Sequence, residues 1–147
     1  MAAGAAFVLV LLAVFVLAGR AGKPAGSSPN DPNLAKLKVS DLHMSTAQNF
    51  VGSSVTYIEG KIVNGSDRKL TAARVEVVFK NAIGETVQKE TLAVTVLLQS
   101  VPYVDYGPID RAPLAAGQTR DFRLTLEHVS ADWDGQLPQV KVVSIGY

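Results

Sequence analysis

Val55-Thr56-Tyr57-Ile58-Glu59-Gly60-Lys61-Ile62-Val63 runs into Asn64-Gly65-Ser66-Asp67, and Ala73-Arg74-Val75-Glu76-Val77-Val78-Phe79-Lys80 follows shortly after. In the first run Thr56, Ile58, Gly60 and Ile62 fall on one side. In the second, Ala73, Val75, Val77 and Phe79 do so, with Arg74, Glu76 and Lys80 mostly opposite. A period of two sends alternate side chains to opposite faces, so each run reads as a strand with one wet face. The Asn-Gly-Ser-Asp between them is turn chemistry, because Asn and Gly tolerate positive φ.

The same texture continues outward. Asn81-Ala82-Ile83-Gly84 makes the next turn, and Thr86 to Leu98 reads as one long strand with Leu92, Val94 and Val96 on one side. After the turn Ala115-Ala116-Gly117-Gln118, Phe122, Leu124 and Leu126 alternate with Asp121, Arg123, Thr125 and Glu127. Val140, Val142 and Ser144 form one face of a final strand, with Lys141 and Val143 on the other, and Leu37 and Val39 belong to a first. Beyond the N-terminal run no segment carries a 3.6-residue apolar stripe. Short strands at roughly ten-residue spacing predict a mainly β domain over residues 33–147, an antiparallel β-sandwich of immunoglobulin-like architecture. With no cysteine the antibody-type Cys…Trp…Cys spacing is excluded, along with disulfides, thiolate metal sites and cysteine nucleophiles.

Ala2 to Gly19, AAGAAFVLVLLAVFVLAG, carries no charge, proline or hydrogen-bonding side chain. As a helix rising about 1.5 Å per residue it reaches roughly 27 Å, close to the hydrocarbon thickness of a bilayer. The expectation is one transmembrane helix, or uncleaved signal anchor, over residues 1–19, with residues 2–19 in membrane lipid. A cleaved signal is the rival, with Ala5 to Leu17 as its apolar stretch and Val16-Leu17-Ala18 before the cut. The absence of Lys or Arg ahead of the run favours the anchor. Arg20 to Pro32, RAGKPAGSSPNDP, reads as a flexible linker. Arg20 and Lys23 follow the span, which on the positive-inside rule keeps the domain in the cytoplasm.

The chain has 147 residues, 14 Lys+Arg against 13 Asp+Glu, and a net charge of +1. Setting aside Arg20, Lys23 and Asp31 leaves the domain with equal numbers of cations and anions. No clustered cations exist to displace counterions from phosphates, so nucleic acid is excluded as a partner.

Three segments together resemble a known family. They are Ile58-x-Gly60-x-Ile62-x-Asn64-Gly65-Ser66, Val77-Val78-Phe79-Lys80-Asn81-Ala82-Ile83-Gly84, and Leu114-Ala115-Ala116-Gly117 followed by Phe122. In that order they are similar to the FxLYD-type domains, and related domains of unknown function, of bacterial single-span membrane or secreted proteins. The resemblance covers roughly residues 55–122 and implies an immunoglobulin-like β-sandwich behind an N-terminal membrane segment, outside the cytoplasm (periplasmic). That location runs against the charge bias at Arg20 and Lys23. In the naming motif Val77 stands for Phe, Phe79 for Leu, Lys80 for Tyr and Asn81 for Asp, while Gly84 is identical. The family implies no functional residue for this chain.

Little here speaks for chemistry. A nucleophilic triad needs a base, and His43 and His128 are the imidazoles available; neither accompanies a strained nucleophile turn such as G-x-S-x-G. Ser130-Ala131-Asp132-Trp133-Asp134-Gly135 has the start of a calcium loop, but Lys141 occupies the position that needs a bidentate Glu. It reads as a polar turn, with Trp133 folding back to cap the sandwich. No phosphate-binding glycine loop occurs. No cofactor or metal is expected. Gly60 inside a strand implies a close backbone approach or a bulge, and Asn64 and Gly84 fit turns of unusual φ.

Gln99 to Ala112, QSVPYVDYGPIDRA, is the segment assigned to function. Its Tyr103, Val104, Tyr106 and Ile109 form a candidate protein-binding set, since tyrosines offer amphipathic contact area at low entropy cost. The alternative for this segment is an edge strand whose Pro102 and Pro108 block aggregation. The expected function is a membrane-anchored, noncatalytic interaction or assembly module of the cell envelope, binding a protein through this loop or by strand addition at an edge. Two alternatives stand beside it: a structural spacer associating through the span at Ala2, Ala3, Gly4, Ala5 and Ala6, and a hydrolase using His43 or His128.

Overall fold

The structure, a computed structural model, describes residues 30–48 and 50–147. The expectations for the span at residues 1–19 and for all but the last positions of the linker at 20–32 lie outside the described residues. Among the described residues, no helix is long and apolar enough to cross a membrane.

The described residues form eight strands after a short 3-10 turn at Leu34–Lys36: β1 Leu37–Gln48, β2 Ser54–Asn64, β3 Ala72–Lys80, β4 Thr86–Ala93, β5 Thr95–Gln99, β6 Asp105–Pro108, β7 Thr119–Leu126 and β8 Gln139–Gly146. A second 3-10 turn, Ile109–Arg111, follows β6. The strands form two antiparallel sheets, one in the order β1-β2-β7-β5-β6 and the other β4-β3-β8. The inward rows read from the sequence supply the core of this β-sandwich: Ile58, Ile62, Phe122 and Leu124 from the larger sheet, Val75, Val77 and Phe79 from the smaller, all at most 1% exposed. Burial of such rows on both sheets is the dominant force holding the layers together.

Three expectations are corrected. Thr86 to Leu98 is not one strand. The chain leaves the smaller sheet after Ala93 and enters the larger at Thr95, with Val94 buried between them and its N–H donated to the Ala73 carbonyl at 2.9 Å. In β8 the register slips between the pairs Arg74–Ser144 and Val75–Val142, leaving Val143 as an extra residue. That bulge turns Ile145, not Ser144, into the core. Nor does Asn64 supply an unusual φ: Asp41, at φ 54, is the positive-φ residue other than glycine among the described residues.

Asn64 acts through its side chain instead. It is fully buried at the end of β2. Its Nδ2 donates to the carbonyls of Arg68 at 2.7 Å, Leu114 at 3.0 Å and Ala115 at 3.2 Å. Its Oδ1 accepts from the Ser66 N–H at 3.0 Å and the Ser66 hydroxyl at 2.7 Å. One amide thereby closes the 64–68 turn onto the segment before β7, matching every buried polar group it meets. Gly60 shows the close approach its place in a strand implied, since a Cβ there would lie 2.6 Å from the Ser40 carbonyl oxygen. Gly84 takes φ +84 in the β3–β4 turn.

Trp133 caps one end as expected. Its ring meets Phe79 edge-on at 5.5 Å, and its indole N–H donates to the Gln136 carbonyl at 2.8 Å. Two oxygens of the calcium-like fragment serve the turn itself: the Ser130 hydroxyl accepts from the Asp132 N–H, and Asp134 Oδ1 from the Gln136 N–H.

Candidate functional site

The outer face of the larger sheet carries a polar ladder that strand register builds. Antiparallel pairing sets His43 of β1 opposite Glu59 of β2, and Glu59 opposite Arg123 of β7. Glu59 divides its carboxylate between them. Oε1 accepts from Arg123 Nε at 2.9 Å and from its terminal nitrogen at 2.6 Å, while Oε2 faces His43 Nε2 at 3.3 Å. The other ring nitrogen of His43 lies 3.2 Å from the Asp41 carbonyl oxygen. Arg123 also lies between two aromatic rings, 4.6 Å from the centroid of Tyr57 and 4.2 Å from that of Tyr106. A guanidinium stacked on two rings and charge-paired with Glu59 is held in one orientation.

A second pair lies one step along, Lys61 to Asp121 at 2.8 Å. The hydrogen bond and charge of Asp121 raise the Lys61 ammonium above its ordinary pKa. Burial, reinforced by the charge of Glu59, raises the Tyr106 phenol. Asp41, His43, Glu59, Lys61, Tyr106 and Asp121 border a shallow depression of about 230 Å³ on this face. Two of its three carboxylates are charge-paired, Asp121 with Lys61 and Glu59 with Arg123, so it suits contact with a mixed polar surface better than capture of an ion. Among the described residues, no cluster of His, Asp or Glu has the composition of a metal site.

Beside this ladder stands the β5–β6 turn. Val101 and Tyr103 are each 79% exposed and Val104 60%. These are large apolar side chains turned to water within one short turn, the surface property that marks contact sites when it is contiguous. Tyr106, on β6, packs against Arg123 and joins the turn to the ladder. Ile109 does not belong with them: it is 1% exposed, and the 3-10 turn aims its side chain into the core. The segment 99–112 therefore divides into a water-facing turn, an edge strand and a core anchor. Pairing also fixes which end of the sandwich the turn occupies. β5 runs antiparallel to β7, β7 to β2 and β2 to β1, so the turn lies at the end where the chain enters β1.

His128 is remote from any such grouping and follows β7, its carbonyl accepting from Gln88 Nε2 at 3.0 Å. Sequence reasoning picked out Tyr103, Val104 and Tyr106 but missed Tyr57, Glu59 and Arg123, whose alternation said only that they face water. No family model, curated protein or solved structure matches this chain.

Proposed function

We propose that this chain is a membrane-anchored, noncatalytic interaction or assembly module of the cell envelope. An immunoglobulin-like, FxLYD-type sandwich, held outside the cytoplasm by the apolar run 2–19, contacts a protein partner through the β5–β6 turn. The observation that carries this reading is the exposure of Val101, Tyr103 and Val104 beside the fixed Tyr106–Arg123–Glu59 platform. Apolar and tyrosine side chains rimmed by polar groups are the composition of protein contact sites. The noncatalytic part is supported by the sequence, in which neither His43 nor His128 accompanies a strained nucleophile turn.

The test is copurification from cells making the full chain with Tyr103→Ser and Val104→Ser together. Partner recovery is lost while the melting temperature stays within about 2 °C, as expected for exposed positions. Recovery of the same partner by the double variant overturns the assignment.

A further inference from the structure

The outer edge of β1 is a second unused surface. β1 is an edge strand of the larger sheet, and among the described residues β2 is its one ladder partner. Its start, Leu37 to Val39, lies beside β8 across a groove of about 610 Å³ whose apolar wall is Leu34, Leu37, Val39, Val140 and Val142, with Asn30, Asp31 and Lys141 also lining it. Its second half runs past that cover. After the bulge between Ser40 and His43, the stretch Leu42-His43-Met44-Ser45-Thr46-Ala47-Gln48 contains no Lys, Arg, Pro, Asp or Glu. These are the residues natural edges use to repel other strands, and on β1 they fall before this stretch, at Lys38 and at the bulged Asp41. Beyond the stretch, the β1–β2 turn carries Phe50, fully exposed, and Val51 at 83%.

We propose that a second copy of this chain pairs along this edge, antiparallel, with Ser45 on the two-fold axis. An edge strand's main-chain groups are satisfied by another strand, and the free stretch from Leu42 to Gln48 has Ser45 at its midpoint. That register sets His43 against Ala47 and Met44 against Thr46 of the other copy, with no like charges opposed. β1 ends at Gln48, so the turn residues Phe50 and Val51 of each copy project just past it, toward the other's bulge at Asp41 and the mouth of the groove beyond. Two leftover features of one molecule, an exposed apolar tip and an open apolar groove, complement each other across a two-fold axis, as an isologous interface demands. This pairing does not depend on the β5–β6 turn.

The chain has no cysteine, which makes crosslinking clean. Full-length protein in its membrane, carrying Ser45→Cys, forms a disulfide dimer under mild oxidation because opposed antiparallel residues lie about 5 Å apart. Ile83→Cys, on the exposed β3–β4 turn, yields about tenfold less, since nothing raises its local concentration. Chains with His43→Cys mixed with chains with Ala47→Cys give more mixed dimer than either gives alone, and Phe50→Ser lowers the Ser45→Cys yield severalfold. Equal dimer from positions 45 and 83, no dimer at 45, or homodimers exceeding the mixed product at 43 and 47 overturns the proposal.

Discussion

Asn64 and Glu59 sit on the same strand, and each ties β2 to neighbouring segments through several hydrogen bonds, yet their surroundings are opposite. Asn64 is sealed from water and meets five partner atoms with one amide. Glu59 lies on the wet face, its side chain 16% exposed, between a histidine at 65% and an arginine at 29%. Where water is excluded, each partner stranded by a substitution has nothing to replace what it lost. Where water reaches, solvent takes over much of the bonding, so a comparable set of contacts adds little to folding and leaves the surface open to selection for contact. The buried network defines the fold, and the exposed one is free to face a partner.

The most severe test of this contrast is Asn64→Ala. It strands the Ser66 N–H in a dry setting, takes the Ser66 hydroxyl's acceptor away and leaves the Leu114 carbonyl with the Leu70 N–H alone, and the expected loss is about 2–4 kcal/mol in a urea unfolding titration. A loss under about 1 kcal/mol would break the comparison. Gly60→Ala comes next: its Cβ would press 2.6 Å from the Ser40 carbonyl oxygen. Prying β1 from β2 at its bulge is expected to cost about 1–3 kcal/mol in the same assay. Glu59→Gln keeps the shape and removes the charge, and should cost under about 1 kcal/mol, with the far-ultraviolet circular dichroism unchanged. If it approached the Asn64 value, the ladder would be structural and not spare.

The smallest effect lies at high pH. Tyr106 and Lys61 both titrate above their ordinary values in the folded chain. For a group whose folded pKa is raised, the folded state holds its proton longer. The stability so conferred is complete below the unfolded pKa and is lost as pH rises through the folded one. Stability should therefore fall across the alkaline range from about pH 10. Tyr106→Phe removes one ionising group and should flatten that fall, read as melting temperature against pH. An unchanged slope would place the phenol in water and detach Tyr106 from the Arg123 platform.

Alternation made most of the fold legible. Ile58 and Ile62, Val75 to Phe79, and Phe122 to Leu126 announce their strands because one face of each is dry. Pairing partners are another matter. Leu92, Val94 and Val96 keep a single apolar period across the point where the chain changes sheets, so periodicity could not signal the switch. Bulges at β1 and at Val143 alter parity by one residue, which no local composition marks. The candidate site divides the same way. Tyr103 and Val104 stood out by type, while Ile109, of similar hydrophobicity, was claimed by the core through a 3-10 turn. Glu59 and Arg123 lie 64 positions apart and meet through the register of β2 and β7.

The passage through Val94 also governs motion. A lone residue joins β4 to β5, leaving no slack between the layers, so neither can slide over the other without stretching the backbone there. The two sheets must breathe as one unit, and the Val94 amide, donated to the Ala73 carbonyl, should exchange with deuterium as slowly as global opening permits.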